Sequence, residues 1–158
     1  VIRTYAPCGE TPLLKVLQTR DHLSVMSGIT PAGHLMTLRR QKALTGSEST
    51  AFLRHLVWYL GRKLLVIWDG GRIHRSEEVK MFLDNGWSEY IHLERFPTYA
   101  PELNPDEGVW RHLKQVELTN LCCLNFQHLC MELDLAIRRM RRRPELIQTF
   151  FAQASLDL

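Results

Sequence analysis

Apolar and polar positions change period several times along the chain, and each change marks an element. Leu23 to Ile29 and His34 to Leu38 are short apolar-rich runs. They flank Thr30-Pro31-Ala32-Gly33, with Pro and Gly where a type I turn wants them, so the spacing predicts an antiparallel hairpin. From Ser47 to Gly61 the period lengthens. Phe52, His55, Leu56, Tyr59 and Leu60 recur at three- and four-residue steps and predict one apolar helix face, with Ser47 or Ser49 as cap and Gly61 as stop. Leu64-Leu65-Val66-Ile67-Trp68-Asp69 is a continuous apolar run between Lys63 and Gly70-Gly71, the pattern of a strand buried on both faces. Ser76 then opens a helix with Glu77 and Glu78 in its first turn, Val79, Phe82 and Leu83 on its inner face, and Asn85-Gly86 at its end.

Tyr90 to Leu93 is a further short strand, and strand–helix–strand at this length implies a parallel crossover. Helices are expected from Pro105 to about Glu117 and from about Asn125 to Arg142, with Pro144 separating a last one over Glu145 to Ala154. Val1 to Pro12 reads as extended, with a turn at Pro7 and Gly9. The order of elements is that of an α/β chain: a hairpin feeding a mixed sheet with helices on both faces. With no repeat, linker or internal boundary, residues 1–158 read as one domain.

Composition adds little to this picture, and distribution adds more. The chain has 158 residues, 45% of them hydrophobic, enough for a single core. Four cysteines are too few for a disulfide scaffold and fit a reducing compartment. No apolar run is long enough to span a membrane, and no signal peptide is visible. A net charge of +3 does not by itself argue for nucleic acid. The cations are clustered, however: Arg138, Arg139, Arg141, Arg142 and Arg143 crowd one segment, and Arg39, Arg40 and Lys42 another. Cys122, Cys123, His128 and Cys130 invite a zinc reading, but their spacing fits no pair-and-pair pattern, and buried thiols are the favoured alternative.

Two acids stand at informative places. Asp69 ends the apolar strand, where ligands bind in α/β sheets. A carboxylate there either starts the Gly-Gly turn or is paired or metal-bound. In Asn104-Pro105-Asp106-Glu107, Asn104 suits an N-cap, Pro105 the first helical position and Glu107 a capping box, so capping alone accounts for both acids. Successive helical residues point roughly 100° apart, so only one of Asp106 and Glu107 can face Asp69.

These residues carry a resemblance. Trp68-Asp69-Gly70-Gly71-Arg72-Ile73-His74-Arg75-Ser76 resembles the second-aspartate motif of DDE transposases of the mariner-like insertion-sequence group. Tyr99-Ala100-Pro101-Glu102-Leu103-Asn104-Pro105-Asp106-Glu107-Gly108-Val109-Trp110 resembles their third-acid motif, Asn-Pro-x-Glu-x-x-Trp. The resemblance implies a ribonuclease-H-like fold, here without its first strand. It implies Asp69 and Glu107 as catalytic, metal-holding acids for Mg2+ or Mn2+ in a two-metal site. DNA (transposon ends and target) is the implied partner, with a homodimer as the usual assembly and the bacterial cytoplasm as the place of action. The Arg3-Thr4-Tyr5-Ala6-Pro7 stretch matches a segment that follows the family's first catalytic aspartate, so that acid is expected to be absent and the chain alone inactive or nearly so.

Supporting residues divide between functional and structural readings. His74 contacts the scissile phosphate or a metal-bound water, or bonds backbone at a helix start. Asn104 is a cap first and a site residue second. Trp110 packs under its helix rather than stacking on a base. Arg111 and Lys114, four and seven residues beyond Glu107, reach phosphates or form a solvated face with a Glu107–Arg111 ion pair. The arginines from 138 to 143 form a phosphate patch or complement a helix C-terminus. Three functions follow: a truncated transposase catalytic core, a non-catalytic remnant that binds DNA or a full-length partner, and an unrelated ribonuclease-H-like nuclease.

Overall fold

The computed structural model describes residues 7–9, 22–97 and 100–154. The expected extended stretch from Val1 to Pro12 therefore lies outside the described residues except at 7–9, as does Tyr99 of the second motif.

Strands β1 (Ser24–Ile29) and β2 (Leu35–Arg40) form the expected antiparallel hairpin, with Ser24 opposite Arg40 and Ile29 opposite Leu35. Its turn is closed by the Gly33 N–H donating to the Thr30 carbonyl at 2.9 Å. Gly33 takes φ +88°, where a side chain is strained, and a Cβ there would sit 2.6 Å from Pro144.

Helix α1 (Gly46–Leu60) starts just before the expected Ser47, and neither serine caps it. Its cap is Thr45, whose backbone N–H donates to the Glu48 carboxylate at 3.0 Å in a capping box. Ser49 is turned inward instead, 1% exposed, its hydroxyl donating to the Thr45 carbonyl. The buried stripe is Ser49, Phe52, Leu53 and Leu56, with half-buried Leu60. His55 and Tyr59, expected on that stripe, face solvent, because Leu53 gives the apolar side better packing at the same helical pitch.

Strand β3 (Leu64–Trp68) leads through a 3-10 turn at Arg72–Arg75 into α2 (Glu77–Asp84) and then β4 (Ile91–Arg95). β3 and β4 pair in parallel, from Leu64 with Ile91 to Trp68 with Arg95. No ladder joins this pair to the hairpin among the described residues, so the mixed sheet exists as two two-stranded pieces. The expectation that β3 is buried on both faces is overturned for the same reason. Leu64, Val66 and Trp68 pack toward α1 and α2, whereas Leu65 and Ile67 are 63% and 48% exposed. Side chains alternate along a strand, and the described residues cover only one side of β3.

The hairpin is the element buried on both sides. Leu35 joins a core with Val109, Leu113, Leu133, Ala136, Ile137, Met140, Ile147 and Phe150. Met36, its neighbour, joins a second core with Phe52, Leu53, Leu56, Phe82 and Ile91. The first core is built on α3 (Asp106–His112), α4 (Phe126–Arg141) and α5 (Pro144–Gln153). The helix expected to reach Glu117 regularly does not: after His112 it widens into a π turn, Leu113–Glu117, closed by the Leu118 N–H on the Leu113 carbonyl at 2.9 Å. That turn brings the Glu117 carboxylate, 10% exposed, to 2.6 Å from Arg139 Nε. No helix among the described residues is long and apolar enough to cross a membrane.

Candidate active site at the rim of the parallel pair

Asp69 immediately follows β3, and the Phe96 N–H donating to the Trp68 carbonyl at 3.0 Å carries the pairing up to it. Asp69 Oδ1 accepts the Gly71 N–H at 2.8 Å, so the turn-starting reading is correct for that oxygen. The side chain nevertheless remains 66% exposed. Behind it the His74 ring stacks on Trp68 with centroids 4.3 Å apart, and its Nε2 lies 3.4 Å from Asp69 Oδ1. His74 Nδ1 is sealed from solvent without a partner. Burial holds the imidazole below its ordinary pKa, with the Asp69 charge opposing, so the ring is neutral at neutral pH. The ring bonds no backbone group among the described residues, and it braces the aspartate from behind.

The second acid comes from the start of α3. Asn104 Oδ1 accepts the Asp106 N–H at 3.1 Å, which makes Asn104 the working cap. Its own N–H donates to the Pro101 carbonyl at 3.1 Å, so a capping box with Glu107 does not form. Glu107 is exposed and has no ion pair among the described residues, Arg111 included.

Asp106 turns the other way. Its Oδ2 accepts the Ser27 hydroxyl at 2.6 Å and the Trp110 indole N–H at 3.0 Å, while Oδ1 is buried without a partner. Desolvation raises its pKa; the two hydrogen bonds oppose this, and the Glu107 and Asp69 carboxylates add to it. Asp106 therefore pins α3 to β1. Asp106→Ala is expected to cost about 2–3 kcal/mol, because a buried hydroxyl and an indole N–H lose their acceptor, whereas Asp106→Asn keeps an oxygen there and costs less. Urea denaturation measures both, and an Ala variant as stable as the parent would show that the pin contributes nothing.

Asp69 and Glu107 line one cleft of about 380 Å³, together with Gly70, Arg75, Arg95, Phe96 and Asn104. Both are oxygen donors, exposed and free of ion pairing to Lys or Arg among the described residues, the character a hard cation requires. No group of three His, Cys, Asp or Glu side chains suited to a metal gathers among the described residues. Magnesium is commonly held by one or two protein carboxylates, with water and substrate phosphate completing its shell, so exposed oxygen donors of this kind suit it.

A family model described as DDE superfamily endonuclease matches residues 1–122. The chain belongs to this DDE superfamily. No curated protein sequence matches it. Among solved structures, the DDE chain is similar to the Mos1 strand transfer complex, at TM-score 0.58 and 14% identity over 96% of this chain and 49% of that one. It is equally similar to the Mos1 transposase paired-end complex with left transposon end, at TM-score 0.58 and 13% identity over 96% and 50%. The chain thus spans about half the length of those chains. The shared architecture is the ribonuclease-H-like α/β fold.

The remaining candidates in this DDE domain separate by their partners. Arg139 is taken by Glu117, and Arg141 donates to the Leu35 carbonyl at 2.9 Å and to Thr37 Oγ1 at 3.1 Å, binding α4 to the hairpin. Arg143 lies 3.8 Å from Glu145. Arg138 and Arg142 are exposed without an ion pair among the described residues, as are Arg111 and Lys114. The regular pitch that placed Lys114 on Glu107's side stops at Leu113, where the π turn begins. Trp110 packs against the first core as expected. The His128 ring accepts the Leu124 N–H at 3.2 Å, and Cys122, Cys123 and Cys130 are free, half-buried thiols. Sequence reasoning missed Arg75 and Arg95 in the cleft and Ser27 under Asp106. The two arginines had a signal, since Arg75 closely follows β3 and Arg95 ends β4, the two strands that end at the rim. Ser27 had none.

Proposed function

We propose that this domain is the catalytic core of a transposase, and that Asp69 and Glu107 hold divalent metal, Mg2+ or Mn2+, against a DNA strand. The observation that carries the reading is that two exposed carboxylates from separate elements line one cleft without a lysine or arginine partner among the described residues. The family supports it, since DDE enzymes are generally dependent on divalent metal. The similar Mos1 structures support it as well, one a strand transfer complex and one holding a transposon end.

When bound, the metal relieves charge on the phosphoryl oxygens and activates water. The chain's own work is positional. Gly71 and His74 fix the aspartate, Asn104 and Pro105 fix the start of α3, and the Asp106 pin sets that helix against the hairpin. Arg111, Lys114, Arg138 and Arg142, without an ion pair among the described residues, are proposed to meet DNA phosphates, with Arg139, Arg141 and Arg143 contributing through the surfaces they hold in place. The single domain over 1–158, a homodimer, target DNA, and action in a bacterial cytoplasm belong to the same proposal.

One observation favours a second reading, a non-catalytic remnant that binds DNA or a full-length partner. Asp106, whose carboxyl is close enough to be influenced by both acids, is committed to Ser27 and Trp110, so the described residues offer the cleft only two free carboxylates. Mn2+ titration followed by electron paramagnetic resonance tests the first reading. The chain is expected to bind Mn2+ more tightly with DNA present, and Asp69→Asn should weaken that binding roughly tenfold or more. Equal binding by both proteins would remove the metal assignment and leave the second reading.

A further inference from the structure

The acid-lined cleft also contains two arginines. Arg75 ends the 3-10 turn after Asp69, and Arg95 ends β4. Both are exposed, and neither forms an ion pair or a side-chain hydrogen bond among the described residues. A guanidinium within reach of a carboxylate ordinarily pairs with it, and these two do not. Arg95 is the register partner of Trp68 at the end of the parallel pair, and Asp69 follows Trp68 directly, just past the end of β3. Asp69 is held further by the Gly71 N–H. The cleft thus carries carboxylates and guanidiniums along one cavity, unpaired with each other among the described residues. A ligand that satisfies both kinds of group must bring a cation to the carboxylates and anionic oxygens to the guanidiniums, which is the character of a metal-bound phosphodiester.

We infer that Arg75 and Arg95 form a phosphate clamp across the Asp69–Glu107 cleft, each gripping non-bridging oxygens of the DNA strand seated there. This rests on the reading of Asp69 and Glu107 as a metal-holding pair acting on DNA. Arginine suits the task because its planar fork matches two phosphate oxygens at once, which a lysine ammonium does not. The clamp is an anion-holding device independent of the metal, so it works in a chelator as well.

The test is binding of a DNA duplex, followed by fluorescence anisotropy over a range of salt, once in EDTA and once with Mn2+. The proteins are the parent chain, Arg75→Ala, Arg95→Ala, the two Arg→Lys variants, and the double variant Asp69→Asn/Glu107→Gln. Each alanine variant is expected to bind roughly tenfold more weakly under both conditions and to lose about 0.9 from the slope of log affinity against log salt, the share of one B-DNA phosphate. The lysine variants should recover that slope while recovering affinity only in part, a split that a purely structural role does not produce. The double variant should lose the stimulation by Mn2+ and keep the parent's salt slope in EDTA, since both arginines remain. Unchanged affinity and slope in both alanine variants would overturn the clamp, and the metal reading would stand if Mn2+ stimulation still depended on the acids. Absent stimulation in the parent, with the arginine effects intact, would remove the metal reading and leave the clamp. Both side chains are exposed, so the variants should fold, and the lysine pair provides the readout if an alanine variant does not.

Discussion

Glu107→Gln is expected to lower metal-dependent DNA cleavage about a thousandfold, tested in a cleavage-competent transposase carrying this domain. The several kcal/mol that a properly held metal contributes to phosphoryl-transfer catalysis is the source of that figure. The substitution keeps the side chain's size and removes its charge. It should leave folding nearly intact, because Glu107 is exposed and Asn104, not Glu107, caps the helix. The loss of a helix-start carboxylate costs about 0.3–1 kcal/mol. Affinity for DNA in EDTA should hold or rise, since one negative charge leaves the cleft. Gel assays of a nicked transposon-end substrate in Mn2+ measure the rate. If the variant cuts within tenfold of the parent, Glu107 is no metal ligand and its place in the motif reflects the helix dipole alone.

Gly108→Val is expected to destabilise the fold by about 3 kcal/mol, near the upper end for overpacking a core. A Cβ at Gly108 would lie 2.6 Å from Phe150 Cγ and 2.7 Å from its Cδ1. Phe150 is 5% exposed and wedged in the first core, so its ring has nowhere to retreat. At roughly 2–4 °C per kcal/mol for a chain of this size, the midpoint of thermal unfolding should fall by about 6–12 °C. Gly70→Ala is the control: nothing lies within 4 Å of a Cβ there, and the change should stay within about 0.5 kcal/mol. A Gly108→Val protein that melts with the parent would mean that α3 and α5 do not approach as described. The glycine next to Glu107 then has a mechanical reason to be there: it lets α5 press on α3, which sets where the acid emerges.

Three outcomes share a cause. Leu65 and Ile67 look buried in the sequence because the run is apolar throughout, yet burial depends on what covers a strand, and the described residues cover only one side of β3. His55 and Tyr59 fit a three-to-four-residue pattern as well as Leu53 does, and the competition was settled by packing against Met36 and Phe82. Asp106 and Glu107 are adjacent acids of equal local merit. What separates them is Ser27, nearly eighty positions earlier in the chain, which takes one carboxylate into the fold and leaves the other to the cleft.

What the chain determines by itself is local. The hairpin turn follows from Pro31 and Gly33, the helix ends from Gly61 and Pro144, and the α3 cap from Asn104 and Pro105, because each rests on backbone preferences that act over a few residues. The two acid motifs and the family they belong to are likewise written in order along the chain. Only the tertiary structure decided that Arg139 and Arg141 brace α4 while Arg138 has no ion pair among the described residues, that a π turn interrupts the helix after His112, and that Arg75 and Arg95 share a cavity with Asp69 and Glu107. Those outcomes depend on contacts between distant segments, and residue type and spacing along a chain do not encode which partner arrives.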